Sequence, residues 1–94
     1  MKIIWTELAL FDLDQAREYI MANSPNAGTR MINRIEKSLE ALQEFPKMGR
    51  LGRVSGTREL VISETPFILP YRIQPNHIEI LAVIHGAQRW NDRF

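Results

Sequence analysis

The sequence predicts an α+β fold of order β-α-α-β-β-β, a helical hairpin packed on a four-stranded, mainly antiparallel sheet. Three observations lead there. Apolar residues recur at helical spacing from Ala9 to Leu42, interrupted only by Ser24-Pro25. After the glycine-containing segment 46–57 the period changes from 3.6 to 2. Two turn clusters, Glu64-Thr65-Pro66 and Gln74-Pro75-Asn76, then divide the remainder into three short runs. Helices followed by a run of strands is the pattern of a sheet covered on one face.

Each element has its own signal. Lys2 to Trp5 is a short β-branched and aromatic run, read as an edge strand. Thr6 is a helix N-cap, and Glu7 is favourable in the first turn. Ala9, Leu13, Ala16 and Ile20 form one helical face, with Asp12, Gln15 and Glu18 away from it, and the helix stops near Asn23. Ser24 caps the next helix and Pro25 occupies its first position, where a missing N–H costs nothing. Met31, Ile32, Ile35, Leu39 and Leu42 make the second apolar stripe; Asn33, Glu36, Lys37, Glu40, Gln43 and Glu44 make the wet face. Pro46 ends that helix by forcing its predecessor out of the helical region.

The strands follow. Arg58 to Ser63 alternates, with Leu60 and Ile62 on one face. Phe67, Leu69, Tyr71 and Ile73 alternate with Ile68, Pro70 and Arg72. The run from Ile78 to His85 is apolar on both faces in its middle, which predicts a central strand. Pro70 has no N–H for a ladder, so a bulge or an edge is expected beside it. The predicted core is Ala9, Leu13, Ala16, Ile20, Met31, Ile35, Leu39, Leu42, Leu60, Ile62, Ile80, Ala82 and Ile84.

With 94 residues, the whole chain 1–94 is read as a single domain. A chain of this size buries roughly 60–65% of its unfolded surface, enough for one core. The absence of cysteine excludes disulfides and thiolate metal sites and fits a reducing, cytoplasmic setting. The longest apolar runs are five residues, far short of the about 20 that span a bilayer, so no membrane association is expected. Net charge is +1, too balanced to demand a nucleic-acid partner. Cations are nevertheless uneven: nine arginines stand against three lysines, and Lys47 to Arg58 holds four cations and no acid. Genome composition accounts for an arginine excess as readily as anion recognition does.

No catalytic or metal constellation emerges. His77 and His85 are the only histidines, separated by about 26 Å along a strand at ~3.3 Å per residue, so they cannot share an ion. The serines have ordinary structural readings, and no cofactor is expected. Gly49-Arg50-Leu51-Gly52-Arg53 lacks the G-K-[ST] core of a phosphate loop and does not run from strand into helix. It remains a candidate docking patch or a solvated connection. His85, Arg89 and Trp90 close the chain as a candidate recognition cluster. Packing of Trp90 on the core and local bonding of His85 would explain the same residues.

Taken in order, SPNAGTRMINRIEKSLEAL, PKMGRLG, GTRELVI, FILPYRI and ILAVIHGAQRW make the chain resemble toxins of the RelE/ParE superfamily, the toxin half of type II toxin–antitoxin pairs. The resemblance covers essentially the whole chain and implies the fold read above. Pro70 departs from it, since the family usually has an aliphatic residue there. RelE-like members cut mRNA on the ribosome without a metal, and their key arginine lies three residues before the tyrosine of the FILPYRI strand. Here that position is Ile68. ParE-like members instead poison DNA gyrase, and their ending resembles Val83 to Gln88. The resemblance therefore implies a ParE-like gyrase inhibitor with no catalytic residues, and the candidate target contacts, chosen as hot-spot residue types, are His85, Arg89 and Trp90, with Arg58. It also implies a cognate ParD-like antitoxin met by Arg50, Arg53, Arg58 and Arg72. The alternatives are a ribosome-dependent mRNA endoribonuclease, using Arg58, His85 and Arg89, and a degenerate toxin that only binds its antitoxin.

Overall fold

The computed structural model describes residues 1–86. Strand β1 (Lys2–Trp5) leads into helices α1 (Glu7–Asn23) and α2 (Pro25–Glu44). Strands β2 (Arg50–Leu51), β3 (Arg58–Val61), β4 (Phe67–Ile73), β5 (His77–Ile80) and β6 (Ile84–His85) follow. The predicted order is present with two differences. Two residues of the expected loop form β2, and the expected strand from Ile78 to His85 is split into β5 and β6, so the sheet has six strands rather than four.

Both helix starts follow from their caps. The Thr6 hydroxyl accepts the Ala9 N–H at 3.1 Å. Ser24 occupies the N-cap of α2 with Pro25 next, but its side chain makes no capping bond. Its N–H instead donates to the Ile20 carbonyl and closes α1. The Phe45 N–H donates to the Ala41 carbonyl at 2.8 Å, ending α2 just before Pro46.

The sheet order is β1-β5-β4-β3-β2, with β6 pairing the first residues of β4. β1 runs parallel to β5, from Lys2 opposite His77 to Trp5 opposite Ile80; every other pairing is antiparallel. β5 is therefore flanked on both sides, the central position expected of the strand that begins at Ile78, although the stretch that is apolar on both faces lies mostly beyond it. The hairpin covers one face, where Ala9, Met31, Ile35 and Leu42 meet Leu60, Leu69, Tyr71, Ile78 and Ile80. Leu13, Ala16, Ile20 and Leu39, predicted as core, pack against this cluster but are only partly buried. Ala16 and Ile20 line clefts along α1. Leu39 lies with Ile32 on the flank of the α2 stripe centred on Ile35 and Leu42.

The split in the last strand is a β-bulge. Between the Tyr71–Ile80 and Ile68–Ile84 pairs, β4 contributes Leu69 and Pro70, whereas the facing chain contributes Leu81, Ala82 and Val83. The Pro70 carbonyl accepts the Leu81 N–H at 2.9 Å, so the side of Pro70 that lacks an N–H faces the bulge. Helix α1 satisfies the groups the bulge displaces. The Thr6 hydroxyl shares its hydrogen between the Ile80 and Leu81 carbonyls at 3.0 and 3.3 Å. The Asp12 carboxylate accepts the Val83 N–H at 3.1 Å. No helix among the described residues is long and apolar enough to cross a membrane.

Candidate functional site

Register distributes the predicted cations over both faces of the sheet. Arg50 lies opposite Glu59, and Arg58 opposite Tyr71. Successive side chains alternate, so Arg50 and Glu59 share the face turned away from the helices, while Arg58 points with Tyr71 toward the helix side. Arg72 lies two residues from Pro70 on the Glu59 face and pairs with Glu79 across β4–β5 at 3.6 Å.

Glu59 organises one surface. Its carboxylate is 3% exposed, accepts Arg50 Nε at 2.9 Å and the Arg53 N–H at 2.9 Å, and lies 3.6 Å from Arg53 Nε. The structure thus brings Arg50 and Arg53 together on one buried acid, with about half of each arginine side chain still open to solvent. A lone acid inside the apolar strand Arg58–Val61, next to a basic run, is the sequence signal that would have identified it.

Arg58 is engaged elsewhere. Its Nη1 donates to the Lys47 and Gly49 carbonyls at 3.1 and 2.8 Å. Tyr71 holds the same segment, donating to the Pro46 carbonyl at 2.6 Å and accepting the Gly49 N–H at 3.0 Å. Burial raises the Tyr71 phenol above its ordinary value, against the opposing pull of the Gly49 bond and the Arg58 charge. Gly49 must be glycine here: a Cβ would sit 2.6 Å from the Tyr71 ring and hydroxyl and 2.9 Å from the Glu59 carbonyl.

His85 borders a second surface. It is half-buried at the end of β6, with its ring edge-on to Phe67 at 5.7 Å and 81°. With Asp12, Gln15, Tyr19 and Phe67 it lines a cleft of about 400 Å³ between α1 and the start of β4. Arg89 and Trp90, predicted beside it, lie outside the described residues. Arg58 does not line this cleft and is held by the Lys47 and Gly49 carbonyls instead. Ile68 is buried and pairs with Ile84 on the face away from the helices. Among the described residues no group of three or more His, Asp or Glu could hold a metal ion.

Solved structures share this architecture. A chain of the chromosomal ParDE TA system from P. aeruginosa superposes with a TM-score of 0.79 at 28% identity, over 90% of this chain and 95% of that one. A YoeB/ParE toxin from Agrobacterium tumefaciens has the same fold, with a TM-score of 0.62 at 17% identity, over 90% of this chain and 98% of that one. A helical hairpin on a mixed, mostly antiparallel sheet of this order is the fold of RelE/ParE-type toxins. Among sequence relatives, Y4kP of Sinorhizobium fredii is 45% identical over 95% of this chain and 92% of its own length. Toxin RelE2 of Caulobacter vibrioides is 34% identical over 93% of this chain and 97% of its own. Residues 3–90 match the family described as the ParE toxin of the type II toxin–antitoxin system parDE. The chain belongs to that family.

Proposed function

We propose that this toxin arrests growth by inhibiting DNA gyrase and is neutralised by a ParD-like antitoxin. The observation that carries the gyrase reading is Ile68. The resemblance to RelE-like nucleases calls for an arginine at this position, and the chain has a buried isoleucine paired with Ile84. Losing a charge aimed at the transition state typically costs ~10²–10³ in rate. The engagement of Arg58 with loop carbonyls further weakens a nuclease reading. Target contact falls to the cleft of His85, Tyr19 and Phe67, with Arg89 and Trp90, close to His85 in sequence, as further candidates. The cytoplasm, where gyrase works, is the site of action.

The antitoxin reading rests on the half-exposed side chains of Arg50 and Arg53, with Arg58 and Arg72 adding positive charge on strands β3 and β4. An acidic segment that folds on the toxin suits them. A ParDE pair is also the named assembly of the P. aeruginosa relative. Co-purification with the product of the upstream gene is the expected result; separation on size exclusion at micromolar concentration would overturn it.

A second reading, ribosome-dependent mRNA cleavage, is favoured by the name of the Caulobacter relative. One experiment separates the two: purified toxin is added to gyrase supercoiling and, in parallel, to ribosome-dependent cleavage of a test mRNA. Loss of supercoiling with intact mRNA is expected. Codon-periodic cleavage with normal supercoiling would sink the gyrase reading. Neither effect, with antitoxin binding intact, would leave a degenerate toxin.

A further inference from the structure

We propose that α1 is the interface of a homodimer in which two copies lie antiparallel, Leu10 of each against Met21 of the other and Asp14 of each against Arg17 of the other. The helix is apolar on more than one side. Its inner face, Ala9, Leu13, Ala16 and Ile20, meets the core. Leu10, Phe11 and Met21 stand outside that face and are 50%, 60% and 44% exposed. α2, by contrast, keeps a polar outer face, with Asn33, Glu36, Lys37 and Glu40 exposed. Large apolar side chains gain free energy when they leave water, and a group of them on a surface marks an interaction site.

At 3.6 residues per turn, Leu10, Asp14, Arg17 and Met21 fall within about 60° of one another, a single stripe along the helix. One end of the stripe is fixed by α2. Gly28 is buried beneath Met21, and a Cβ there would collide with Met21 Cγ and Sδ, so the missing side chain lets the two helices close. Met21 and Arg17 thereby line a cleft of about 510 Å³ with Thr29 and Ile32 of α2.

The order of residues along the stripe selects the occupant. Leu10 and Met21 are equidistant from the point midway between Gln15 and Ala16, and so are Asp14 and Arg17. A twofold axis through that point, perpendicular to α1, sets apolar on apolar at both ends and opposite charges together twice in the middle. That is the self-complementarity an isologous contact requires, in which one residue meets a second and the second meets the first. Asp14 and Arg17 already bond within the chain at 3.1 Å, with about half of each side chain in water. In the dimer the two pairs join into a ring of alternating charge. A parallel pair would instead oppose Asp14 to Asp14 and Arg17 to Arg17, and would align the helix dipoles. A partner of uniform charge would meet a like charge on the stripe. Asp12, Gln15 and Tyr19 lie on the flank of α1 away from the stripe, so the cleft beside His85 stays open in both copies.

One helix and its groove make a small contact, and small interfaces are weak, so the dimer is expected to form at roughly 1–100 μM. Sedimentation equilibrium of the purified toxin across and above this range is the test. Asp14→Arg and Arg17→Asp each make both central contacts repulsive, and each should raise the dimer Kd about tenfold or more. The double variant, Asp14→Arg with Arg17→Asp, restores opposite charges in exchanged positions and should dimerise like the wild type. The two single variants mixed should associate with each other although neither associates with itself. Thermal midpoints confirm that all are folded, since both side chains stand outside the core. A wild type that stays monomeric, or single reversals that leave the dimer unchanged, would overturn the proposal. So would failure of the double variant to recover what the single reversals lose. None of these outcomes bears on the gyrase or antitoxin readings.

Discussion

Arg50 Nε donates to the Glu59 carboxylate at 2.9 Å directly across the β2–β3 pair, and the two residues differ greatly in exposure. Glu59 is an acid buried in a strand, whereas Arg50 is half in water. Their removal should therefore cost different amounts. Glu59→Ala strips the acceptor from Arg50 Nε and from the Arg53 N–H, and should destabilise by ~1–3 kcal/mol. Arg50→Ala leaves Glu59 with its Arg53 bonds, and solvent screening holds its cost to about 1 kcal/mol or less. Urea unfolding of both variants checks this, and equal losses would contradict it.

Tyr71 makes the stability depend on alkaline pH. Its native value is raised above the ordinary 10.0, mainly by burial. The folded state thus favours the neutral phenol. This contribution is present in full below about pH 10 and is lost as pH rises through the raised native value. Tyr71→Phe should cost ~1–3 kcal/mol at neutral pH, because the Gly49 N–H and Pro46 carbonyl lose a buried partner. It should also flatten the decline above pH 10. Denaturant midpoints from pH 8 to 11 for both proteins measure the difference, and parallel curves would refute the assignment.

Gly49→Ala tests the same packing from the backbone side. The added methyl meets the Tyr71 ring at 2.6 Å and the Glu59 carbonyl at 2.9 Å, and neither is the free end of a flexible side chain. A loss of ~1–3 kcal/mol, the usual cost of overpacking, is expected in thermal or urea unfolding. A neutral substitution would mean that the segment 46–50 relaxes freely.

Much of the fold was legible because the signals were local. Thr6 caps α1, Pro25 opens α2, and the alternation around Leu60 and Leu69 faces the helices, each as short-range periodicity dictates. Pro70 also announced the irregularity beside it, although the bulge itself lies on the facing chain. What sequence could not convey was partnership across distance. Arg50, Arg53, Arg58 and Arg72 read as equivalent cations until register set them on opposite faces and gave them Glu59, loop carbonyls and Glu79 as partners. Periodicity likewise identifies Leu39 as facing inward but not how completely the hairpin covers it, so Leu39→Ala belongs at or below the lower end of the ~2–5 kcal/mol usual for buried leucine.

The bond between Asp12 and Val83 leads to the last prediction, because it joins α1 to the strand that bears His85. Val83 is buried within the bulge, and its N–H is displaced from the regular ladder. The Asp12 carboxylate supplies an acceptor 71 residues away in sequence. Asp12→Ala removes that acceptor and should destabilise by ~1–3 kcal/mol. Asp12→Asn keeps an oxygen at the same place and should cost less. Geometry should respond as well as stability: His85 lies two residues beyond Val83 and packs edge-on against Phe67. In Asp12→Ala the Val83 amide should exchange with solvent faster, and the His85 ring protons should shift as that contact loosens. Hydrogen exchange and NMR spectra of the three proteins measure both. Unchanged Val83 protection in Asp12→Ala would show that the β4 ladder alone sets the bulge, and that α1 has no part in placing His85.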